Sequence, residues 1–232
     1  EIEKYLELLQ EYEFPFIELQ TNGLEIGNCV NKNPSQILIW SQRLRRWQEL
    51  GLNTIALSVV HTEDELNAKI YHKDYPDLED TIEYLHSFGF TVRLCVMMLK
   101  DFIDTPEKVM GVIDWCREHK VEQLTMRLIH KPEGKPANNA VAKYVDWHGL
   151  TTEQAQTIND EIMKLGTPVM RLDFGATILD VNGQNVCLTD SMTIPPGFDE
   201  IRTLIFYSSG LLTYAWQYPG AILLGGNGSD EE

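Results

Sequence analysis

Apolar positions along this chain follow two periods in turn, one helical and one extended. Residues 2–12 place Ile2, Tyr5, Leu6, Leu9 and Tyr12 on one side, which predicts an amphipathic helix stopped by Pro15. Phe16 to Gln20 is a short apolar run closed by Thr21-Asn22-Gly23, a strand entering a turn. Residues 35–50 predict a second helix, with Ser35 as its candidate cap and Gly51 as its stop. Asn53 to Val60 (NTIALSVV) is apolar on both sides of the chain, as in a parallel strand covered on both faces. Asp77 to Phe88 is helical, with Leu78, Ile82 and Leu85 on one side and Gly89 as its stop. Thr91 to Met98 (TVRLCVMM) is the next strand. Thr105 caps a helix that has Pro106 at its first position and runs through His119. Glu122 to Ile129 (EQLTMRLI) is a further strand. Helix then strand, repeated with short connectors, predicts βαβ crossovers and a parallel sheet.

The pattern changes after His130. Residues 131–150 carry Pro132, Gly134, Pro136 and Asn138-Asn139, and read as a loop and a boundary. Thr151 to Leu165 is a helix with Thr151 as N-cap and Gly166 as stop. Thr177–Val181 and Asn185–Thr189 flank Asn182-Gly183, the pair that a type I′ hairpin turn requires. Ile201–Tyr207 and Leu211–Trp216, joined by Ser208-Ser209-Gly210, read as a second hairpin. Tyr214, Trp216 and Tyr218 alternate, so they share one face, either in a core or as an exposed platform. The fold class expected is α/β: a partial parallel (β/α) barrel over residues 1–130, a helix plus β-hairpin region over 131–224, and a glycine-rich acidic tail, expected to be disordered, over 225–232.

Composition narrows the chemistry. With 232 residues and 43% hydrophobic residues, a substantial core is available. The net charge of −16 disfavours nonspecific nucleic-acid binding. Arg43, Arg45 and Arg46 read first as a solvated helix face. Cys29, Cys95, Cys116 and Cys187 are far apart and form no CxxC pair, which argues against a disulfide framework and a structural zinc site. No apolar run reaches the ~18 residues of a membrane span, and no signal peptide is visible, so the cytoplasm is expected. His61 and His72 flank an acidic, helix-like stretch, and their spacing is not that of a metal pair.

The order FIELQTNG, helix, GLNTIALSVV, helix, GFTVRLCVMM, helix, VEQLTMRLI resembles the middle and later units of a radical S-adenosylmethionine (SAM) enzyme barrel. In that family a strand ending in Thr-Asn-Gly follows the unit bearing a Gly-Gly-Glu motif, and the next strand carries a serine near the SAM ribose. The resemblance covers residues 1–130. The CxxxCxxC cluster loop and the Gly-Gly-Glu motif are missing from these residues. Three thiolates hold three irons of a [4Fe–4S] cluster and leave the fourth for SAM. The chain also starts at Glu1, inside the motif order. Either the chain begins after these missing motifs or it is a degenerate relative of the family; the expectation is the former, a segment of a longer enzyme, inert alone, whose full form uses SAM and a [4Fe–4S] cluster.

The resemblance implies cofactor-binding roles for Thr21, Asn22, Ser58, Arg93 and Arg127. Each has a plain structural alternative. Thr21-Asn22-Gly23 lines the pocket or is simply a turn. Ser58 bonds a ribose hydroxyl or is a small residue within a strand. Arg93 and Arg127 interrupt apolar strands and need partners: the SAM carboxylate, an anionic substrate, or a structural salt bridge. No residue is assigned as catalytic, and none as a metal ligand. Two other classes remain open. One is a cluster-free α/β module that binds a protein or small molecule. The other is a barrel isomerase or aldolase using Lys100 or Asp101 at a strand end. A truncated barrel would also leave an unpaired strand edge, through which self-association is expected.

Overall fold

A computed structural model describes residues 1–32, 34–129, 139–172, 176–190, 201, 203–215 and 220–225. Helix α1 (Ile2–Leu9) leads to strand β1 (Glu18–Thr21), and α2 (Leu24–Lys32) and α3 (Pro34–Glu49) lead to β2 (Thr54–Val59). Helices α4 (Asp64–Ile70) and α5 (Leu78–His86) lead to β3 (Thr91–Met98), and α6 (Pro106–Glu118) leads to β4 (Gln123–Leu128). β1 to β4 lie side by side in chain order, each pair parallel. Short polar caps set the helix starts. Asp77 accepts from the N–H of Asp80 (2.8 Å) ahead of α5, and Thr105 from that of Lys108 (3.4 Å) ahead of α6.

The second half adds α7 (Ala140–His148), α8 (Thr152–Leu165), β5 (Thr167–Arg171), β6 (Thr177–Val181) and β7 (Gln184–Asp190). Thr151 and Gln154 form a reciprocal capping box at α8. The β6–β7 hairpin turns at Asn182 (φ 53°) and Gly183 (φ 85°), both left-handed as a type I′ turn demands. β7 pairs parallel with β4, and β6 and β5 follow antiparallel. The result is one seven-stranded sheet in the order β1-β2-β3-β4-β7-β6-β5, open at β1 and β5 rather than closed into a barrel. Strands β8 (Ile205–Phe206), β9 (Leu212–Thr213) and β10 (Ile222–Leu224) form a separate antiparallel sheet.

Several elements depart from the sequence expectations. The stretch expected as a loop over 131–150 contains α7, because the proline and glycine signals end before Asn139, which caps that helix by accepting from Val141 N–H (2.9 Å). Helix α2 was masked in the sequence by Gly27, yet a Cβ there would lie 2.5 Å from Pro76 Cβ, so the glycine is what admits close packing against the start of α5. Strand β5 is exposed along its length and carries no burial pattern to read. The β6–β7 hairpin prolongs the main sheet, since Val186 and Leu188 continue the apolar rows of β4. The second hairpin is reduced to two-residue pairings and gains β10 as a third strand. Of the aromatic series, Trp216 and Tyr218 lie outside the described residues, as do residues 131–138 and the tail beyond 225.

The main sheet has two unlike faces. One carries Ile55, Leu57, Val59, Val92, Leu94, Val96, Leu124, Met126 and Val186, all buried against Leu44, Ile82, Leu85, Ile113, Ile158 and Ile162 of the helices. Each such side chain contributes about 2 kcal/mol by leaving water. Side chains alternate along a strand, so the residues between these occupy the other face. There the registers align Gln20, Ala56, Arg93 and Gln123 in one row, and Ser58, Cys95, Thr125 and Cys187 in the next. Helices hold the apolar face; on the other, Thr54, Ala56, Cys95 and Thr125 are also buried, while Ser58, Arg93 and Arg127 are half-buried.

Candidate functional site

Ligands of open α/β sheets bind beyond the carboxyl ends of the strands. At that end of the polar face, Met97 and Arg127 are register partners, and Arg127 is in turn opposite Thr189. Arg93 lies lower, two residues into β3. Its Nη1 is 2.8 Å from Glu18 Oε2, its Nε donates to Gln123 Oε1 (2.8 Å), and its guanidinium sits 5.9 Å from the Phe16 ring centroid. Arg93 is therefore spent on tying β1, β3 and β4 together. Arg127 forms no ion pair with a carboxylate among the described residues, and it is only half-buried. The two arginines, predicted as a like pair, thus occupy different situations.

The other sequence candidates divide similarly. Ser58 lies on the polar face, where its Oγ accepts from Gln20 Nε2 (3.1 Å). Thr21 is opposite Leu57, on the helix-covered side, and its Oγ1 accepts from Gly23 N–H (3.2 Å). Asn22 Oδ1 accepts from Leu24 N–H (3.2 Å), and Gly23 takes φ 73° with little room beside Leu57. These bonds make Thr21-Asn22-Gly23 the strand-to-helix turn that starts α2. The structure brings Ser58, Arg93 and Arg127 onto one face and sets Thr21 and Asn22 at its rim. Lys100 follows β3, where its N–H donates to His148 O (2.8 Å) and so docks α7 over the strand end. Asp101 adopts φ 69°, and its N–H donates to Asp104 Oδ2 (2.9 Å).

Some residues around the face gave no sequence signal. Asn67, fully buried, accepts from Val60 N–H (2.9 Å) and His61 N–H (3.2 Å) and donates to His61 O (2.7 Å). It clamps the carboxyl end of β2. His61 Nδ1 accepts from Glu63 N–H (3.1 Å), and burial pulls the imidazole below its usual range against the pull of Glu63, with Lys108 adding to the drop. Tyr71, at the end of α4, has a buried hydroxyl with no hydrogen-bond partner among the described residues. Burial pushes it up to about 12, and the neighbouring Cys95 and Tyr144 add to the rise. Burial also raises Cys95 and Cys187, while Arg127 and Arg93 pull both thiols back. Only a packed structure brings these groups together, because Tyr71, Cys95, Arg127 and Cys187 are 24 to 116 residues apart in the chain.

The chain's own residues do not fit an iron–sulfur cluster. Its four cysteines lie on α2, β3, α6 and β7, all are free thiols, and among the described residues no three His, Cys, Asp or Glu side chains converge on a metal-sized site. An open groove of about 810 Å³ lies at the opposite, amino end of β3, lined by Glu79, His86, Glu118, His119 and Glu122. Its His86–Glu122 contact (3.2 Å) ties α5 to the base of β4, and its His119–Glu79 contact (3.4 Å) ties the end of α6 to α5, both away from the carboxyl strand ends.

No protein-family model matches the chain, and no curated protein is significantly similar to it. Solved structures do match. The chain is similar in fold to SuiB of Streptococcus suis, a radical SAM enzyme. The TM-score is 0.51 at 13% identity over 92% of this chain, which spans 46% of the SuiB chain. SuiB bound to S-adenosylmethionine and SuiB bound to its precursor peptide SuiA match with TM-scores of 0.46, at 13% and 12% identity, over 94% and 92% of this chain. The chain thus spans about half the length of SuiB. At this identity the likeness is one of fold. Among the described residues, no helix is long and apolar enough to cross a membrane.

Proposed function

We propose that this chain is the later part of a radical SAM enzyme barrel, acting on a peptide or small-molecule substrate in its full-length form and inert alone. One observation carries the reading. Four parallel strands in chain order turn a continuous polar face away from their helices, in a fold similar to SuiB. In the full protein, SAM and a [4Fe–4S] cluster supply the radical chemistry, with cluster ligands from outside these 232 residues. This chain supplies the polar wall. Ser58 and the Thr21-Asn22-Gly23 rim face the cofactor's ribose side, Arg93 braces the wall through Glu18 and Gln123, and Arg127 presents a cation. A peptide substrate is favoured because SuiB binds one. The edge of β1, unpaired among the described residues, is where a further strand, or a second copy of the chain, would add.

The test uses the gene with its upstream sequence. Protein reconstituted anaerobically with iron and sulfide is given SAM and a reductant, and 5′-deoxyadenosine is measured. Product that vanishes when upstream cysteines are changed to alanine supports the reading. Absence of both cluster and product refutes it and leaves a cluster-free α/β module that binds a protein or small molecule.

A further inference from the structure

Helices α5 to α8 each begin on a side-chain acceptor: Asp77, Thr105, Asn139 and Thr151. Helix α4 does not. Its N-cap, Glu63, makes no side-chain capping bond. What fixes the Glu63 N–H is the ring of His61, whose Nδ1 accepts from it (3.1 Å). The same two-residue reach occurs ahead of α2, where Asn22 Oδ1 accepts from Leu24 N–H (3.2 Å), and ahead of α7, where Asn139 Oδ1 accepts from Val141 N–H (2.9 Å). An amide oxygen accepts at every ordinary pH, whereas an imidazole nitrogen accepts only while it holds no proton. Imidazole is also the side chain that ordinarily changes charge between pH 5 and 8. The start of α4 therefore depends on an acceptor that acid removes. Glu63 O in turn receives the Leu66 and Asn67 N–H groups (3.1 and 3.2 Å), the first-turn bonds of α4. The Asn67 side chain then closes over Val60 and His61 at the carboxyl end of β2.

We propose that His61 is a proton-sensitive cap: neutral, it holds the first turn of α4 against the carboxyl end of β2, and protonated, it releases that turn. With Nδ1 accepting, the neutral ring carries its hydrogen on Nε2, so an added proton goes to Nδ1 itself. The new Nδ1–H opposes the Glu63 N–H and turns toward the Glu63 carboxylate, 3.9 Å away, so a backbone bond is exchanged for an ion pair. Charge reaches the ring from two elements: Glu63 at the start of α4, and Lys108 on α6, itself paired with Asp104. Burial lowers the ring's hold on a proton, Glu63 opposes the drop and Lys108 adds to it. The folded turn thus binds this proton less tightly than an open one. The cap's contribution is intact above the ordinary 6.5 and is lost as pH falls below it, through the lowered value. Asp64, raised to about 6 and accepting from Leu78 N–H (3.1 Å), pulls the opposite way, because folding favours its protonated form.

The experiment follows hydrogen exchange at the Glu63, Leu66 and Asn67 amides of the 232-residue chain by NMR as pH is lowered from 7.5 to 5.5, with intrinsic rates divided out and the β3 amides as reference. Protection at the three amides is expected to fall about threefold or more, on the order of one backbone hydrogen bond, while β3 is unchanged. The midpoint is expected to match that of the His61 ring's own titration. His61→Asn keeps an acceptor at the same reach, as at Asn22 and Asn139, and is expected to abolish the fall. His72→Asn alters the matching turn beyond α4, where His72 Nδ1 accepts from Asp74 N–H (3.1 Å), and is expected to leave the fall in place. Asp64→Asn retains an acceptor for Leu78 N–H without titrating, and is expected to enlarge the fall. A fall that persists in His61→Asn, protection that stays level in Asp64→Asn, or an equal loss at β3 overturns the proposal. Should His61→Asn fold poorly, the wild-type chain decides: a fall whose midpoint departs from that of the His61 ring also overturns it. Neither iron, SAM nor substrate enters the measurement, so its outcome is separate from that of the 5′-deoxyadenosine assay.

Discussion

Replacing Asn67 with alanine removes three hydrogen bonds at one fully buried position. The N–H of Val60 and the N–H and C=O of His61 lose their only side-chain partner, at 2.9, 3.2 and 2.7 Å in the native fold. Val60 is wholly buried, so its N–H cannot turn to water. A buried polar group left unpaired costs about 1–3 kcal/mol. Taking the upper part of that range for Val60 and the lower part for the half-buried His61 groups, Asn67→Ala costs about 4 kcal/mol. For a chain of this length that lowers the melting temperature by about 10 °C. Urea unfolding with an unchanged slope is the assay. Asn67→Asp is the sharper partner variant. Its carboxylate keeps both acceptor bonds but sets a buried negative charge against the His61 carbonyl. When protonated it regains a donor there. Asn67→Asp is therefore expected to be poorly stable at pH 7 and to recover toward wild type as pH falls toward 4. A loss below about 1 kcal/mol in Asn67→Ala, or no pH-dependent recovery in Asn67→Asp, would refute the clamp.

Three other outcomes follow from the same geometry. Burial, opposed by the bond from Leu78 N–H and assisted by Asp77, Glu65 and Asp80, raises Asp64 to about 6. An acid raised in the folded state binds its proton more tightly there, so wild type gains stability relative to Asp64→Asn as pH falls from 7 to 5, read as the difference between their urea midpoints; parallel profiles would count against it. Arg93→Met and Glu18→Gln are each expected to destabilise, with a coupling of about 1–2 kcal/mol in a double-mutant cycle, whereas Arg127→Gln leaves stability within about 0.5 kcal/mol; a result the other way round would exchange their assigned roles. Cys187 is the least buried thiol, so in native protein at pH 8 a thiol reagent is expected to modify it first, and prior reaction at Cys116, which burial holds up to about 12, would contradict the packing.

The β-branched and apolar runs at Asn53–Val60, Thr91–Met98 and Glu122–Ile129 were legible as strands because apolar residues fill the side of each that packs against the helices, and their order predicted the parallel pairing. Caps at Asp77, Thr105 and Thr151 were legible because capping is a local bond between a side chain and a backbone group three residues on. The Asn182-Gly183 turn was legible because few residues tolerate a positive φ. Helix α2 was not, because Gly27 is explained only by Pro76 and Thr81, some 50 residues away. Among the site candidates, Ser58, Arg93 and Arg127 could be picked out as polar residues within apolar strands. Their roles could not, because register alone decides that Glu18 meets Arg93 and that no described carboxylate meets Arg127. The sequence by itself determined the alternating elements and their local ends, since these depend on neighbours within a few positions. Only the tertiary structure decided which polar groups are spent and which remain, since strand pairing brings together charges that the chain keeps tens of residues apart.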